Sequence, residues 1–370
     1  MKVPLLDLNA HYEPLMDKIR CKLEEVFSTH QYILGPQVKA FELMMQDYLD
    51  ANYAIGCASG TDALILALQA LHIRPGDEVI TTPFTFFATA SSIARVSAKP
   101  VFVDILPETF NIDPSLIEAA ITNKTKAIIP VHLFGQSAEM DKISEIAKRH
   151  NLAIIEDNAQ GIGALYDGVK VGTIGDIGTL SFFPSKNLGC MGDGGMCLTN
   201  NEELANNLRQ LRVHGENPKY YHKWIGLNSR LDSVQAAILA VKLPHLEEWS
   251  ELRRENATYY YKHLQGVKQI KLPVIHPKAK SIYNQFTIIA EQRDKLLERL
   301  SGAGIGCAIY YPLPLHLQEC FAYLNGQIGD CPNAEELAQK VLSIPIYPEL
   351  SNDQQDFVIE TIKEFYRDQK

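Results

Sequence analysis

A single lysine in an apolar setting is the most distinctive candidate for chemistry in this chain. Residues 181–186 read SFFPSK, so that Lys186 closes a run of small and apolar side chains just past a predicted strand. A lysine kept from water loses its proton more readily and can then form a Schiff base. The alternative is that Lys186 extends to solvent, as most lysines do.

Two adjacent acids, Glu156 and Asp157, end another apolar run, and Gln160 follows three residues later. Acids at the end of a strand often cap the next helix or pair with a base. A buried carboxylate is costly without a cationic partner, so a positive group is expected nearby. A protonated pyridine nitrogen would meet that need.

Residues 58–62, ASGTD, lie between a predicted strand and an apolar helix. The free amides at a helix start, together with a glycine and two hydroxyls, would hold a phosphate group. The alternative is an ordinary helix cap formed by Ser59 or Thr61.

Aromatic side chains follow a third predicted strand, in residues 82–87, TPFTFF. Phe86 could stack on a flat ring, although ordinary core packing would also explain it. Taken together, the four stretches offer a phosphate site, an acid, an amine and a stacking face, which are the groups that pyridoxal phosphate requires.

The surrounding pattern predicts the elements that must position these residues. Short apolar runs alternate with helical stretches between residues 53 and 212, which indicates parallel strands joined by right-handed crossovers. Ligands of such sheets bind at the carboxyl ends of the strands, where all four stretches fall. The predicted strands are 53–57, 78–82, 100–104, 126–133, 152–157, 178–183 and 195–199, with one possible antiparallel member. The predicted helices are 61–72, 86–95, 113–121 and 140–150.

The pattern changes after residue 212. A polar, aromatic stretch at 214–229 is predicted as a long loop, and a helical segment at 231–264 is expected to bend or divide at Pro244. We therefore divide the chain into a large domain, 1–245, and a smaller α+β domain, 246–370, with strands near 284–289 and 306–311.

Composition excludes several other classes of protein. The net charge is −9 and no cluster of Lys and Arg stands out, so nucleic acid is not an expected partner. No apolar stretch is long enough to cross a membrane, and the first residues lack a secretion signal. Seven scattered cysteines without a CxxC pair, and eleven histidines without metal spacing, predict neither a disulfide framework nor a metal site. A cytoplasmic protein is expected.

Residues 59–61, the acids at 156–157 with Gln160, residues 181–186 and residues 228–232, NSRLD, occur in an order and spacing that resemble the nucleotide-sugar aminotransferases, the DegT/StrS group of fold-type I pyridoxal-phosphate enzymes. The resemblance covers essentially the whole chain. It implies a large three-layer α/β/α domain with a mostly parallel sheet, a smaller α+β C-terminal domain, and a homodimer whose active sites are shared between subunits.

The resemblance also implies roles for individual residues. Lys186 would bind the cofactor covalently and later move the proton, and Asp157 would pair with the ring nitrogen. The other implied cofactor contacts are Gln160 at the ring hydroxyl, Phe86 on the ring face, and Gly60, Thr61, Ser181 and the partner subunit's Asn228 at the phosphate. The implied substrate contacts are Arg230, Tyr310, Tyr311 and His316, with a salt bridge to Asp232 or to a neighbouring chain as the alternative for Arg230.

Members of this group move the amino group of L-glutamate onto a nucleotide-linked keto-sugar, with the cofactor alternating between its pyridoxal and pyridoxamine forms. Phe183 and Asp193 favour the branch that acts on 3-keto sugars, here carried on UDP or dTDP, over the 4-keto branch. Such amino sugars usually enter surface glycans.

Three alternatives use the same residues differently. A sugar dehydratase of this fold would carry His in place of Lys186, and a cofactor-binding regulator would not need turnover. A Schiff-base aldolase without a cofactor would leave Asp157 and the phosphate site unexplained.

Overall fold

A computed structural model describes residues 1–368 of the chain. Its centre is a seven-stranded sheet in the order β1-β9-β8-β5-β4-β2-β3. These strands are β1 Tyr53–Cys57, β2 Glu78–Thr81, β3 Lys99–Phe102, β4 Thr125–Ile129, β5 Ala153–Asp157, β8 Ile177–Ser181 and β9 Gly195–Thr199. All seven predicted strands are thus confirmed, several of them shorter at one end.

Only β9 runs antiparallel, and it does so to both of its neighbours, β1 and β8. The pairs β2–β3, β2–β4, β4–β5 and β5–β8 are parallel. Since β1 and β8 both oppose β9, they share one direction, and the carboxyl ends of β1, β8 and β5 meet at the same edge.

Helices cover both faces of the sheet. Those of the first 245 residues are α1 Leu8–Tyr12, α2 Met16–Thr29, α3 Pro36–Leu49, α4 Gly60–Ala70, α5 Ala88–Arg95, α6 Pro114–Ile117, α7 Met140–His150, α8 Glu202–Leu211 and α9 Ser233–Lys242. Successive strand residues belong to different buried clusters: Ile128 and Ile154 pack on one face, whereas Ile129 and Ile155 pack on the other. Strands covered on both faces read as continuous apolar runs, as β4 and β5 do. The predicted three-layer α/β/α architecture is confirmed.

The predicted helix at 231–264 divides at Pro244, as expected. After α9 a 3-10 turn, Leu243–His245, leads into α10, Leu246–Leu264. The remaining helices are α11 Arg293–Gly302, α12 Pro332–Ala338 and α13 Asn352–Arg367. Two 3-10 segments, Leu315–Leu317 and Glu319–Leu324, precede α12.

The C-terminal sheet differs from the prediction. It contains β10 Ile270–Lys271, β12 Phe286–Ala290 and β13 Val341–Ile344, in the order β10-β12-β13. Residues 306–311 are not a strand, since Ala308 forms only an isolated bridge with Ser343. The strand that pairs with β12 on the side opposite β10 is instead β13, which was not predicted from the sequence. A third small sheet joins β6 Leu165–Tyr166, β7 Val169–Lys170 and β11 Ala279–Lys280.

The division of the chain after residue 245 stays a prediction. Val3 packs in the buried cluster of the C-terminal residues and forms a parallel bridge with Ile305, so the first residues lie beside that cluster. None of the helices in residues 1–368 is long and apolar enough to cross a membrane.

Candidate active site

The shared carboxyl edge of β1, β8 and β5 brings three of the four candidate stretches together. The turn from β1 into α4 lies against the end of β8: a Cβ atom added to Gly60 would be 2.7 Å from the Cβ of Ser181. β8 pairs with β5 up to Asp157, which faces Thr179 in the register. The amine, the acid and the helix start therefore surround one position at this edge.

Asp157 is buried and its carboxylate is held in place from two sides. Thr89 Oγ1 donates to one oxygen at 2.7 Å, and the Ala159 amide donates to the other at 3.2 Å. Burial nevertheless raises the pKa of Asp157, since these hydrogen bonds and the charge of Lys186 compensate for only part of the lost hydration. A positive group placed against this carboxylate would be stabilised by it.

Lys186 lies in a loop that leaves β8 and folds back on itself. Its backbone amide donates to the Phe183 carbonyl at 2.8 Å. Loss of hydration lowers the pKa of the Lys186 amine to about 8, against the opposing attraction of Asp157. A far larger fraction of the amine is therefore unprotonated near neutral pH than for an exposed lysine, and the unprotonated form is the one that attacks a carbonyl carbon.

The helix start contains an ordinary cap and, beside it, two amides without a partner in the helix. Ser59 caps α4, with its hydroxyl accepting from the Asp62 amide at 3.1 Å. The amides of Gly60 and Thr61, in the first turn of α4, have no partner within the helix. They remain free to hold an anion, supported by the positive end of the helix dipole.

Phe86, Gln160 and Tyr311 form a neighbouring group. The Phe86 side chain is 57% exposed, so it is not a core residue. Gln160 accepts from the Phe134 amide at 2.8 Å and donates to the Tyr311 hydroxyl at 3.2 Å. The Tyr311 ring centroid lies 6.4 Å from that of Phe86. Burial raises the pKa of Tyr311, which keeps its hydroxyl protonated.

Fewer contacts define the surroundings of three other predicted residues, Arg230, Asn228 and Tyr310. Arg230 is half-buried, and within residues 1–368 its side chain forms neither an ion pair nor a hydrogen bond, so the alternative pairing with Asp232 does not occur. Asn228 is exposed and lies near the end of the 214–229 loop. Tyr310 is half-buried beside Tyr311.

His316 is not brought into this group. It is a buried residue of the 3-10 segment Leu315–Leu317, with Nε2 3.0 Å from the Glu335 carboxylate and its ring against Phe102. The adjacent Leu315 amide donates to the Pro83 carbonyl at 2.8 Å. Contact of His316 with a substrate stays a prediction.

Glu156 has a structural environment that the sequence analysis did not foresee. The expected cation is absent from its surroundings among the described residues; instead the amides of Gly172, Ile174 and Gly175 each donate to its carboxylate at 2.7 Å. His132 Nε2 lies 2.8 Å away. Because the other ring nitrogen accepts from Ala138, His132 donates to Glu156. Burial alone would raise the pKa of Glu156. The hydrogen bonds from these donors outweigh burial, so the pKa lies below its usual value.

Thr89 is the functional residue that the sequence analysis missed. It lies three residues after Phe86, at the spacing that places two side chains on one helical face. It contacts Asp157, as given above, and also Thr85 Oγ1 at 3.0 Å. The spacing from Phe86 is the signal that could have identified it.

These residues fit pyridoxal phosphate. The fit rests on the desolvated amine of Lys186, the fixed carboxylate of Asp157, the unpaired amides that begin α4 and the exposed ring of Phe86. Each of these groups is common in proteins on its own. What is unusual is that all of them meet at one edge of the sheet.

Comparison with known proteins identifies the family to which the chain belongs. The model of the DegT/DnrJ/EryC1/StrS aminotransferase family matches residues 15–363. A protein of Geobacillus stearothermophilus named a pleiotropic regulatory protein is 54% identical over 99% of each chain. The UDP-N-acetyl-3-dehydro-alpha-D-glucosamine 3-aminotransferase of Acidithiobacillus ferrooxidans is 47% identical over 95% of each chain.

Among solved structures, S. venezuelae DesV in complex with a ketimine intermediate superposes with a TM-score of 0.96, at 42% identity over 98% of each chain. The family is pyridoxal-phosphate dependent, as the site residues predict. The resemblance inferred from the motifs is confirmed, and the chain belongs to the DegT/DnrJ/EryC1/StrS aminotransferase family.

Proposed function

We propose that this aminotransferase moves the amino group of L-glutamate onto the 3-keto carbon of a UDP- or dTDP-linked sugar, for amino-sugar biosynthesis serving surface glycans. The observation that carries the proposal is the desolvated amine of Lys186 within electrostatic range of the fixed carboxylate of Asp157. The 3-keto position is supported by the name of the A. ferrooxidans relative and by Phe183 and Asp193.

Pyridoxal phosphate, when bound, supplies an electron sink that makes the hydrogen on the amino-bearing carbon acidic. Lys186 Nζ would bind the cofactor first and, once released, take and return that proton as general base and acid. Asp157 would keep the ring nitrogen protonated, with Thr89 fixing the carboxylate. Gly60, Thr61 and Ser181 would hold the phosphate, and Gln160 the ring hydroxyl.

Arg230 is the proposed anion contact, because its guanidinium is without an ion-pair partner among the described residues. It would bind the carboxylate of glutamate or the diphosphate of the nucleotide, both of which match its planar donor geometry. Tyr310 and Tyr311 would border the sugar pocket, next to Phe86.

We also propose that the working unit is a cytoplasmic homodimer in which the partner subunit's Asn228 completes the phosphate site. Exposed aromatic and apolar side chains of the 214–229 loop support an interface, among them Tyr220, Tyr221 and Ile225. All seven cysteines are free thiols, which is typical of a reducing compartment.

The visible absorbance of the purified protein tests the reaction. We expect an absorbance band from the cofactor bound to Lys186, which L-glutamate removes and a nucleotide-linked 3-keto sugar restores. Lys186→Ala should fold and lose both changes. A wild-type band that glutamate leaves unchanged, or full turnover by the variant, would overturn the proposal.

A regulator that binds cofactor without turnover is the second candidate, because the G. stearothermophilus relative carries a regulatory name. The same spectra decide between the two, since a regulator would keep its band after glutamate is added. Assay of matched 3-keto and 4-keto nucleotide sugars then fixes the ring position, and turnover of the 4-keto sugar alone would show the position to be wrong. Lys186 itself argues against a sugar dehydratase, in which His would stand there.

A further inference from the structure

A second buried lysine lies behind the loop that carries Lys186. Lys242, the last residue of α9, has no exposed surface. Its ammonium donates to the Gly189 carbonyl at 2.5 Å and lies 4.2 Å from the centroid of the Tyr12 ring. Lysine is almost never fully buried without a specific partner, so this contact needs an explanation.

The carbonyl that Lys242 holds ends a tightly folded loop, residues 182–190. The Cys190 amide closes the loop by donating to the Phe182 carbonyl at 2.8 Å. Gly189 packs so closely inside the loop that an added Cβ would be 2.4 Å from the Pro184 carbonyl oxygen. A shift of Gly189 would therefore be transmitted through the loop to Lys186.

Tyr12 supplies a second donor to the same end of the loop. Its hydroxyl donates to the Cys190 carbonyl at 3.0 Å. Two neighbouring carbonyls are thus held by side chains from two different helices, α1 and α9. A loop fixed in this way can keep Lys186 within the narrow range of positions that proton transfer requires.

The groups facing Lys242 are few. Cys190 and Glu349 favour its charged form, and Glu349 also accepts from His11, at 2.9 Å. Burial outweighs them and lowers the pKa of Lys242 to about 7. The nitrogen carries hydrogens in both forms, so the bond to Gly189 does not depend on the charge.

We propose that Lys242, together with Tyr12, is a positioning residue for the reaction: it anchors the end of the 182–190 loop and so fixes where the Lys186 amine lies. This inference rests on the proposed role of Lys186 in the reaction.

The test compares Lys242→Met with Lys170→Met in the cofactor-loaded enzyme. Lys170 is a matched control, because its amine also bonds a backbone carbonyl, that of Tyr48, and lies 3.9 Å from the centroid of that tyrosine's ring, away from the loop. Three quantities are measured: amide hydrogen exchange in a peptide covering 182–190, the apparent pKa of the cofactor absorbance, and kcat and KM for glutamate.

For Lys242→Met we expect faster exchange at 182–190, a shifted absorbance pKa, and a kcat lower by about tenfold to a hundredfold with KM nearly unchanged. Lys170→Met should change none of these. Unchanged exchange, absorbance pKa and kcat in Lys242→Met would overturn the inference, as would equal changes in the control.

If Lys242→Met does not fold, the Tyr12→Phe variant tests the inference instead. Removing only the hydroxyl should produce the same three changes to a smaller extent, and their absence would refute the shared anchor. Failure of the proposed function is distinguishable, because it would already be visible in the wild-type enzyme as a cofactor band that glutamate does not alter.

Discussion

Glu156 and Asp157 are neighbours in β5 and point to opposite faces of the sheet, so they meet different partners. Glu156 is surrounded by three backbone amides and His132, and its negative charge is satisfied within the protein. Asp157 has a threonine and one amide, and burial keeps its pKa high. The first carboxylate therefore stabilises the fold, whereas the second is ready for a positive ligand.

Neutral substitutions of the two acids should have different effects, one on turnover and the other on stability. Asp157→Asn should bind cofactor but lose turnover by on the order of a hundredfold, because the ring nitrogen would no longer stay protonated. Glu156→Gln should retain most activity per folded molecule but lose about 2 kcal/mol of unfolding free energy, since its new amide group faces backbone donors. Cofactor titration, kcat and urea unfolding of both variants check this. Loss of turnover in Glu156→Gln alone would contradict it.

Thr89→Val should impair the reaction without preventing cofactor binding. The hydroxyl donates to Asp157 at 2.7 Å, and losing a hydrogen bond to a buried charge of this kind is expected to lower kcat by about tenfold. Thr199→Val is the control, because the Thr199 hydroxyl is also buried and donates at 2.7 Å, but to the Asp176 carbonyl. A kcat that falls equally in both variants would mean that the effect is one of general packing.

The lowered pKa of Lys186 predicts how reconstitution depends on pH. Covalent binding of pyridoxal phosphate needs the neutral amine, which predominates above the pKa of about 8. The rate at which the cofactor-free protein regains its absorbance should thus rise with pH through about 8 and then level off. A rate still rising towards 10.5, the ordinary lysine value, would show that the amine is hydrated in solution. Lys186→Ala, which lacks the amine, gives the background absorbance for this measurement.

At the scale of single residues, the sequence indicated which residues are candidates for the site better than it indicated which groups they contact. Lys186, Asp157 and Gly60 could be found because each ends an apolar run or begins a helix, positions that periodicity reveals. The Glu156 site could not, because its donors are backbone amides, and any residue except proline supplies one.

At the scale of the element, the contact between the start of α4 and the end of β8 positions the phosphate site. A Cβ at Gly60 would lie 2.7 Å from that of Ser181. Gly60→Ala should push the helix start away from β8, at a cost of about 1–3 kcal/mol, and weaken cofactor binding by about tenfold or more. Gly266→Ala is the control, since nothing lies within 4 Å of its added Cβ. Cofactor titration of both proteins measures the effect, and equal affinities would exclude this packing role.

The elements of the large domain were more predictable than those of the C-terminal part. Parallel strands buried on both faces, such as β4 and β5, read as apolar runs flanked by helical periodicity. Residues 306–311 also form a largely apolar run but pair with β13 only through Ala308. Which of two apolar runs joins a sheet depends on long-range pairing, which local pattern does not contain.

At the scale of the whole molecule, the position of Asn228 determines whether a site is built from one chain or two. The 214–229 loop returns to the large domain, where the Ser229 hydroxyl accepts from the Ala58 amide at 3.1 Å. Asn228 is therefore close to the α4 start of its own chain, while the family resemblance places it in the partner's site. A site completed in trans and a site completed in cis give opposite results when two defective subunits are mixed.

Mixing Asn228→Ala with Lys186→Ala distinguishes them. If Asn228 acts across the interface, each mixed dimer holds one site with both residues intact. Random reassociation of equal amounts makes half of the dimers mixed, so about a quarter of wild-type activity should return. If Asn228 acts within its own chain, each site of the mixed dimer lacks one residue, and activity should stay at the sum of the two separate variants. Unfolding and refolding the two proteins together, followed by assay, measures the difference, and wild type taken through the same cycle sets the full scale.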